Sequence, residues 1–170
     1  MQLHLYVKLD ADASTCYASH MTERAPPTPA VIRAWARLVK ARRVLLSTVE
    51  AELKSAGFPP LEWYDVLLEL SRVGPPGLRP SELEKHLLLE QYNLSRLLDR
   101  MVKATYLERT PSPGDARGHY LTLSGSGGDL LTRMWPVYRD AIGKHVGAKL
   151  TEAEAQQLGS ALGKLLDGES

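Results

Sequence analysis

Four side chains suited to a polyanion recur at helical intervals in the middle of the chain: Tyr92, Arg96, Arg100 and Lys103, spaced by four, four and three residues. That spacing lines them up on one helix face. Gln91, Asn93 and Ser95 stand at the start of the same run. A guanidinium matches the paired acceptors of guanine and a carboxamide those of adenine, so Arg96, Gln91 and Asn93 have the chemistry to read base edges. Arg100 and Lys103 suit phosphate. Further along, Arg117 follows Asp115 in a stretch rich in proline and glycine. A guanidinium there, held in one pose by the carboxylate, fits a narrow minor groove of enhanced negative potential. The plainer reading is a solvated face, with Arg96 and Arg100 paired to Asp99 or Glu90 and Arg117 keeping a loop soluble.

Other chemistry has little to work with. No glycine-rich phosphate loop follows a strand, and neither a nucleophile elbow nor a His-Glu-x-x-His run occurs, so no catalytic residue is assigned and no enzyme is expected. One cysteine cannot close an internal disulfide, and five scattered histidines without cysteine partners have no structural zinc spacing. His119 and His145 read as surface or interface polar groups, and no metal or cofactor is expected. Trp35, Trp63, Tyr64 and Asp65 fall where the first two helices should cross. They are either core aromatics or the lining of a pocket for a small aromatic or phenolic effector. Asp65 then pairs with an arginine such as Arg72 or meets only water.

The elements that must position these residues are mostly helical. In 170 residues, 44% hydrophobic and 24% charged, there is room for one compact domain or a small domain with an oligomerisation element. No stretch approaches the ~18 apolar residues of a membrane span. The net charge of +1 neither demonstrates nor excludes a nucleic-acid partner. Thr28-Pro29 opens a long helix whose seam is Ile32, Trp35, Val39, Leu46, Val49 and Leu53, interrupted by Arg42 and ended by Gly57. A second helix, from Leu61 to about Arg72, is apolar around much of its circumference. Ser81 with Glu84 reads as a capping box for a short helix through about Leu88. The next helix commits Leu94, Leu97, Leu98, Met101 and Val102 to the core. Tyr106–Thr110 and His119–Leu123 then flank a loop over Pro111–Gly118, a hairpin with a charged tip. Ser124 starts another long helix with a seam of Leu131, Trp135, Tyr138 and Ile142, which Pro136 should bend. Thr151 with Glu154 caps a last helix striped by Leu158, Leu162, Leu165 and Leu166.

Two short helices, the second basic outside, followed by a charged hairpin, make a winged helix-turn-helix, an arrangement that reads DNA. At this point the sequence also resembles a family. Leu78-Arg79-Pro80-Ser81-Glu82-Leu83, Leu94-Ser95-Arg96-Leu97-Leu98-Asp99-Arg100-Met101, Leu107-Glu108-Arg109, Asp115-Ala116-Arg117 and Leu121-Thr122-Leu123-Ser124 are similar to the MarR family of bacterial transcriptional regulators. The resemblance covers roughly residues 61–166 and is most specific at the wing, Asp-x-Arg. It implies obligate dimers with interlocked first and last helices, and release of DNA on binding phenolic or aromatic carboxylate compounds. The sequence departs from the family at Thr105-Tyr106, where a glycine and a small apolar residue are usual, and at Leu123-Ser124-Gly125, where Leu-Thr is usual.

The expected fold class is mainly α with a small β-hairpin wing: a winged helix-turn-helix plus a helical dimerisation region. Residues 1–20 read as a vector-derived tag, since His20-Met21 is a common cloning junction, with a native arm as the other reading. Residues 21–58 read as a dimerisation helix, 59–123 as the DNA-binding domain and 124–170 as C-terminal dimerisation helices. The expected protein is a cytoplasmic homodimer that binds an inverted-repeat operator in double-stranded DNA and acts as a repressor. The competing reading is a winged-helix module that docks a protein and has no DNA site; its outer helix face would be neutral or apolar.

Overall fold

The computed structural model describes residues 25–87, 91–112 and 115–166, without the side chains of residues 91, 92 and 115–117. The proposed tag, residues 1–20, lies outside the described residues. The chain divides into two compact units, residues 1–38 and 39–170. In the first, helix α1 (Pro29–Ser55) begins after Thr28, whose Oγ1 accepts from the Val31 amide at 3.4 Å. Ile32 and Trp35 are exposed there, as is Val39 at the start of the second unit.

In the second unit α1 ends in a Schellman motif: the Phe58 amide donates to the Leu53 carbonyl and the Gly57 amide to that of Lys54. Val49 and Leu53 are buried, whereas Leu46 is exposed. The apolar seam therefore enters this chain's own core only in its last turns. Arg42 is exposed and takes no part in that core.

Helix α2 (Leu61–Ser71) follows Pro60, which offers no capping side chain. Glu50 Oε1, reaching from α1, accepts from the Leu61 amide at 2.9 Å and does that work. Leu61, Tyr64, Val66, Leu67 and Leu70 are buried, nearly around the helix, as expected of the element that others pack against.

Helix α3 (Pro80–His86) is capped two residues earlier than the sequence pattern suggests. Proline at the first helical position makes Arg79 the cap residue, and its amide donates to Glu82 Oε2 at 2.7 Å; Glu84 is not the partner. Helix α4 (Gln91–Lys103) buries Leu94, Leu97, Leu98 and Met101. It closes with a second Schellman pair, Tyr106 to Met101 and Thr105 to Val102. Thr105 sits at φ 64°, a left-handed conformation in which glycine is the easy residue.

Strands β1 (Leu107–Ser112) and β2 (Asp115–Leu123) pair antiparallel, Leu107 opposite Leu123 and Thr110 opposite Tyr120, with a register shift at Pro111/Ser112. The ladder thus runs into the segment expected to be an eight-residue loop, and Arg117 belongs to β2 rather than to a loop tip. Backbone pairing overrides Pro111 because it sits in a two-stranded ribbon with a free edge. A third strand segment was not legible: Leu78 and Leu121 exchange both backbone hydrogen bonds, at 3.1 and 2.8 Å. Gly77, at φ 96°, allows this approach, since a Cβ there would lie 2.1 Å from the Leu121 carbonyl oxygen.

Helix α5 (Gly125–His145) is capped by Ser124 Oγ, which accepts from the Gly127 amide at 3.0 Å, and runs as one helix through Pro136. Its buried positions are Gly127, Leu130, Met134 and Ala141. This is a correction: the inward stripe lies one residue before the seam Leu131, Trp135 and Ile142, and Trp135 and Ile142 are exposed. The apolar arc of α5 is wide, and only its inner edge is fully buried. After a 3-10 turn at Gly147–Lys149, helix α6 (Glu152–Leu166) carries the expected capping box, Thr151 amide to Glu154 Oε2 at 2.8 Å and Glu154 amide to Thr151 Oγ1 at 3.3 Å. No residue of α6 is buried. Mainly α with a two-stranded wing is the architecture expected from the sequence.

Candidate nucleic-acid interface

Helix α4 is two-faced. Opposite its buried leucines, Asn93, Ser95, Arg96, Asp99, Arg100 and Lys103 are exposed. Leucines at offsets of three and four anchor one side to the helix-turn-helix core, so the polar side chains between them must point outward. Gln91 and Tyr92 contribute the first turn of α4; their side chains lie outside the described part of the molecule, as do those of Asp115 and Arg117 on β2.

Both arginines on this face have partners. Arg100 Nη2 donates to Glu62 Oε1 of α2 at 3.0 Å. Asp99 Oδ1 accepts from Arg109 Nη2, which reaches across from β1. Arg96 and Ser95 also have partners. Glu62, Asn93, Arg96, Asp99 and Arg100 together line an open groove. Of the partners considered for Arg100 from sequence, Asp99 pairs with Arg109 and Glu90 lies outside the described residues; the tie to α2 is one that sequence spacing could not reveal.

The wing is fixed to the helix-turn-helix by Arg79. Its Nη2 donates to the buried Ser112 hydroxyl at 2.8 Å, and its guanidinium lies 5.4 Å from the centre of the Tyr120 ring. Arg79 entered the sequence reading only as part of a family-like run. At the other end of the wing Ser124 and Ser126 both donate to the Thr105 carbonyl, at 2.7 and 2.6 Å, tying the end of α4 to the start of α5.

The aromatic residues sort differently from the expected cluster. Trp63 meets Tyr106 edge-on, 5.7 Å between ring centres. Tyr64, its neighbour in sequence, faces another way and joins Trp135 and Tyr138 of α5, at 6.4 and 5.1 Å. Trp35 is exposed on the first unit. Burial pushes the Tyr64 phenol up, and Tyr138 and Asp65 nearby add to the rise. Tyr138 is raised by burial and by Asp65. Partial burial also raises the Asp65 carboxyl, followed by repulsion from Glu69 and Glu50. Arg72, considered as its partner, pairs with Glu69 instead, at 2.8 Å. Trp135 and Tyr138 belong to this group of rings; their helical spacing was visible, but not the face they share with Tyr64.

His145 and Lys144, at the end of α5, both contact Glu52 Oε1 of α1, at 3.1 and 2.7 Å. These contacts lower the Glu52 pKa, the Lys144 hydrogen bond most. No group of three or more candidate metal ligands occurs among the described residues, and none of the described helices is long and apolar enough to cross a membrane.

Residues 56–118 match the family model described as MarR family. Among curated proteins, the chain is 33% identical over 72 residues to the HTH-type transcriptional regulator PecS of Dickeya dadantii (strain 3937), covering 42% of this chain and 43% of that protein. It is 30% identical over 89 residues to the multiple antibiotic resistance protein MarR of Escherichia coli (strain K12), covering 52% and 62%. The chain thus spans less than two thirds of either relative. Among solved structures it resembles Sco3205, a MarR family transcriptional regulator from Streptomyces coelicolor in complex with DNA, with a TM-score of 0.76, 25% identity and coverage of 87% and 92%.

Proposed function

From the match of residues 56–118 to the MarR family model, we propose that the chain is a regulator of that family, which binds double-stranded DNA as a sequence-specific transcriptional regulator. The observation that carries this reading is the two-faced α4, with Asn93, Ser95, Arg96, Arg100 and Lys103 outward behind a braced helix-turn-helix and ahead of the wing. The N-terminal part of α4 enters the major groove, Arg96, Gln91 and Asn93 read bases, and Tyr92, Ser95, Arg100 and Lys103 contact phosphate and sugar. Arg117 on the wing enters the adjacent minor groove. The structural neighbour Sco3205 was solved in complex with DNA, which supports the DNA-binding reading.

The protein acts as a homodimer on an inverted repeat, in the cytoplasm, and represses. A small aromatic or phenolic effector releases it by favouring a dimer whose reading helices are wrongly spaced, to the extent that it binds the two shapes with different affinity. Tyr64, which shares a face with Trp135 and Tyr138 of α5, and Asp65 are its candidate contacts. Titration of the protein against a duplex from its own promoter region tests the DNA reading. A steep fall of affinity with salt and preference over a scrambled duplex are expected. Salt-insensitive binding, or equal affinity for both duplexes, would overturn it.

A further inference from the structure

We propose that Glu62 is a specificity-determining residue: an internal stand-in for phosphate that occupies Arg100 and so weakens binding to duplexes of the wrong sequence. The inference rests on the DNA-binding reading above.

Glu62 belongs to α2, outside the reading helix, yet its Oε1 accepts from Arg100 Nη2 at 3.0 Å. The side chains of Arg100 and Glu62 remain 58% and 34% exposed, so the pair is formed on the open groove and not in the core. A phosphate that approaches Arg100 must take the guanidinium from a carboxylate. Exchanging one oxyanion for another yields little net free energy. Glu62 itself then stands close to the incoming phosphate, and like charge opposes the approach. Contact with the backbone alone is therefore poorly rewarded at this position. A bound state that brings an amino-bearing base edge, cytosine N4 or adenine N6, to the freed carboxylate recovers the loss. Specificity is a difference between affinities, and a carboxylate at this position lowers the affinity common to all sequences.

The test is Glu62→Gln, alone and with Arg100→Ala, measured by fluorescence anisotropy on a promoter duplex and on a scrambled duplex of equal composition. Glutamine keeps the shape and removes the charge. Binding to the scrambled duplex is expected to tighten about two- to fivefold, the range an exposed ion pair supplies. The promoter duplex should gain less. The slope of log affinity against log salt on the scrambled duplex should steepen by roughly one, because Arg100 becomes available to displace a counterion. In the Arg100→Ala background the same substitution should gain less, only what relief of the repulsion between Glu62 and phosphate supplies. Unchanged affinity for the scrambled duplex overturns the inference, as does an equal gain in both backgrounds, which would reflect net charge alone. If the wild-type protein prefers the promoter duplex and Glu62→Gln behaves identically, only this inference falls. If the wild type binds neither duplex, the DNA-binding reading falls and takes this one with it.

Discussion

Thr105 holds φ at 64°, where a β-branched residue meets its own backbone and glycine does not. The strain is tolerated because Tyr106 and Thr105 amides close the end of α4 and two serine hydroxyls hold the Thr105 carbonyl. The Thr105 side chain is exposed, so little packing is lost on its removal. Thr105→Gly should therefore stabilise the protein by about 1 kcal/mol, the relief of strain exceeding the added flexibility of the unfolded chain. A urea midpoint that rises with an unchanged slope is the expected result; a falling midpoint would show that the threonine is not strained. The sequence marked this position as a departure from a family-like pattern, but only the dihedral angle gives the reason. Arg117 is the complementary case: its type and spacing were legible, and the strand that carries it was not, because Pro111 and Gly114 suggested a loop where backbone pairing continues. Arg117→Ala should weaken promoter binding by about 1–3 kcal/mol if the guanidinium enters a groove, and an unchanged titration would remove it from the interface.

Helix order and type were readable because each apolar stripe must be buried somewhere, and periodicity states which face that is. Partners across the sequence were not readable. Glu50 caps α2, Leu78 pairs with Leu121, and Arg79 braces the wing, each through a contact that local spacing does not encode. The start of α5 shows the same limit. Four residues, Gly125, Ser126, Gly127 and Gly128, look like a weak helix start. In the folded chain a Cβ on Gly127 would lie 2.2 Å from the Tyr106 carbonyl oxygen and 2.9 Å from Leu123 Cδ1. The helix gains its place against the wing by giving up propensity there. Gly127→Ala should destabilise by about 1–3 kcal/mol despite alanine's better helix propensity, read as a lowered melting temperature. An equal or higher melting temperature would mean that the junction yields easily. The contact of Glu52 with Lys144 and His145 ties α1 to α5 within the second unit and predicts a pH effect. The folded-state pKa of Glu52 is below its ordinary 4.5, so its contribution is complete above that value and is lost as pH falls through the lowered one. Glu52→Gln should flatten the acid side of a plot of melting temperature against pH; a superimposable acid limb would assign the loss to other carboxylates, Glu154 first among them.

The whole chain carries more apolar surface than it covers. Val39, Val44 and Leu46 on α1 are exposed at 48%, 49% and 39%, and Leu158, Leu165 and Leu166 on α6 at 46%, 68% and 64%. Helix α6 fully buries none of its residues in its own chain, and at 15 residues it is at the length where an isolated helix is marginal in water. Its regular capping box cannot supply the missing stability, since a cap contributes about 1 kcal/mol. In the proposed homodimer a second copy of the chain would cover such a helix with matching leucines under twofold symmetry. That copy also sets the distance between the two reading helices, roughly 34 Å for successive turns of B-DNA. On the proposed reading association and recognition are coupled, and a change far from any base should disturb both. Leu158→Glu combined with Leu165→Glu places carboxylates on the uncovered stripe while leaving α4 and the wing untouched. Sedimentation at micromolar concentration should show a dimer for the wild type and a shift towards monomer for the double variant. The variant should lose the advantage of an inverted repeat over a single half-site while keeping weak, salt-sensitive binding to each half. A wild-type monomer, or a double variant that stays dimeric and still prefers the repeat, would detach the exposed leucines of α6 from assembly.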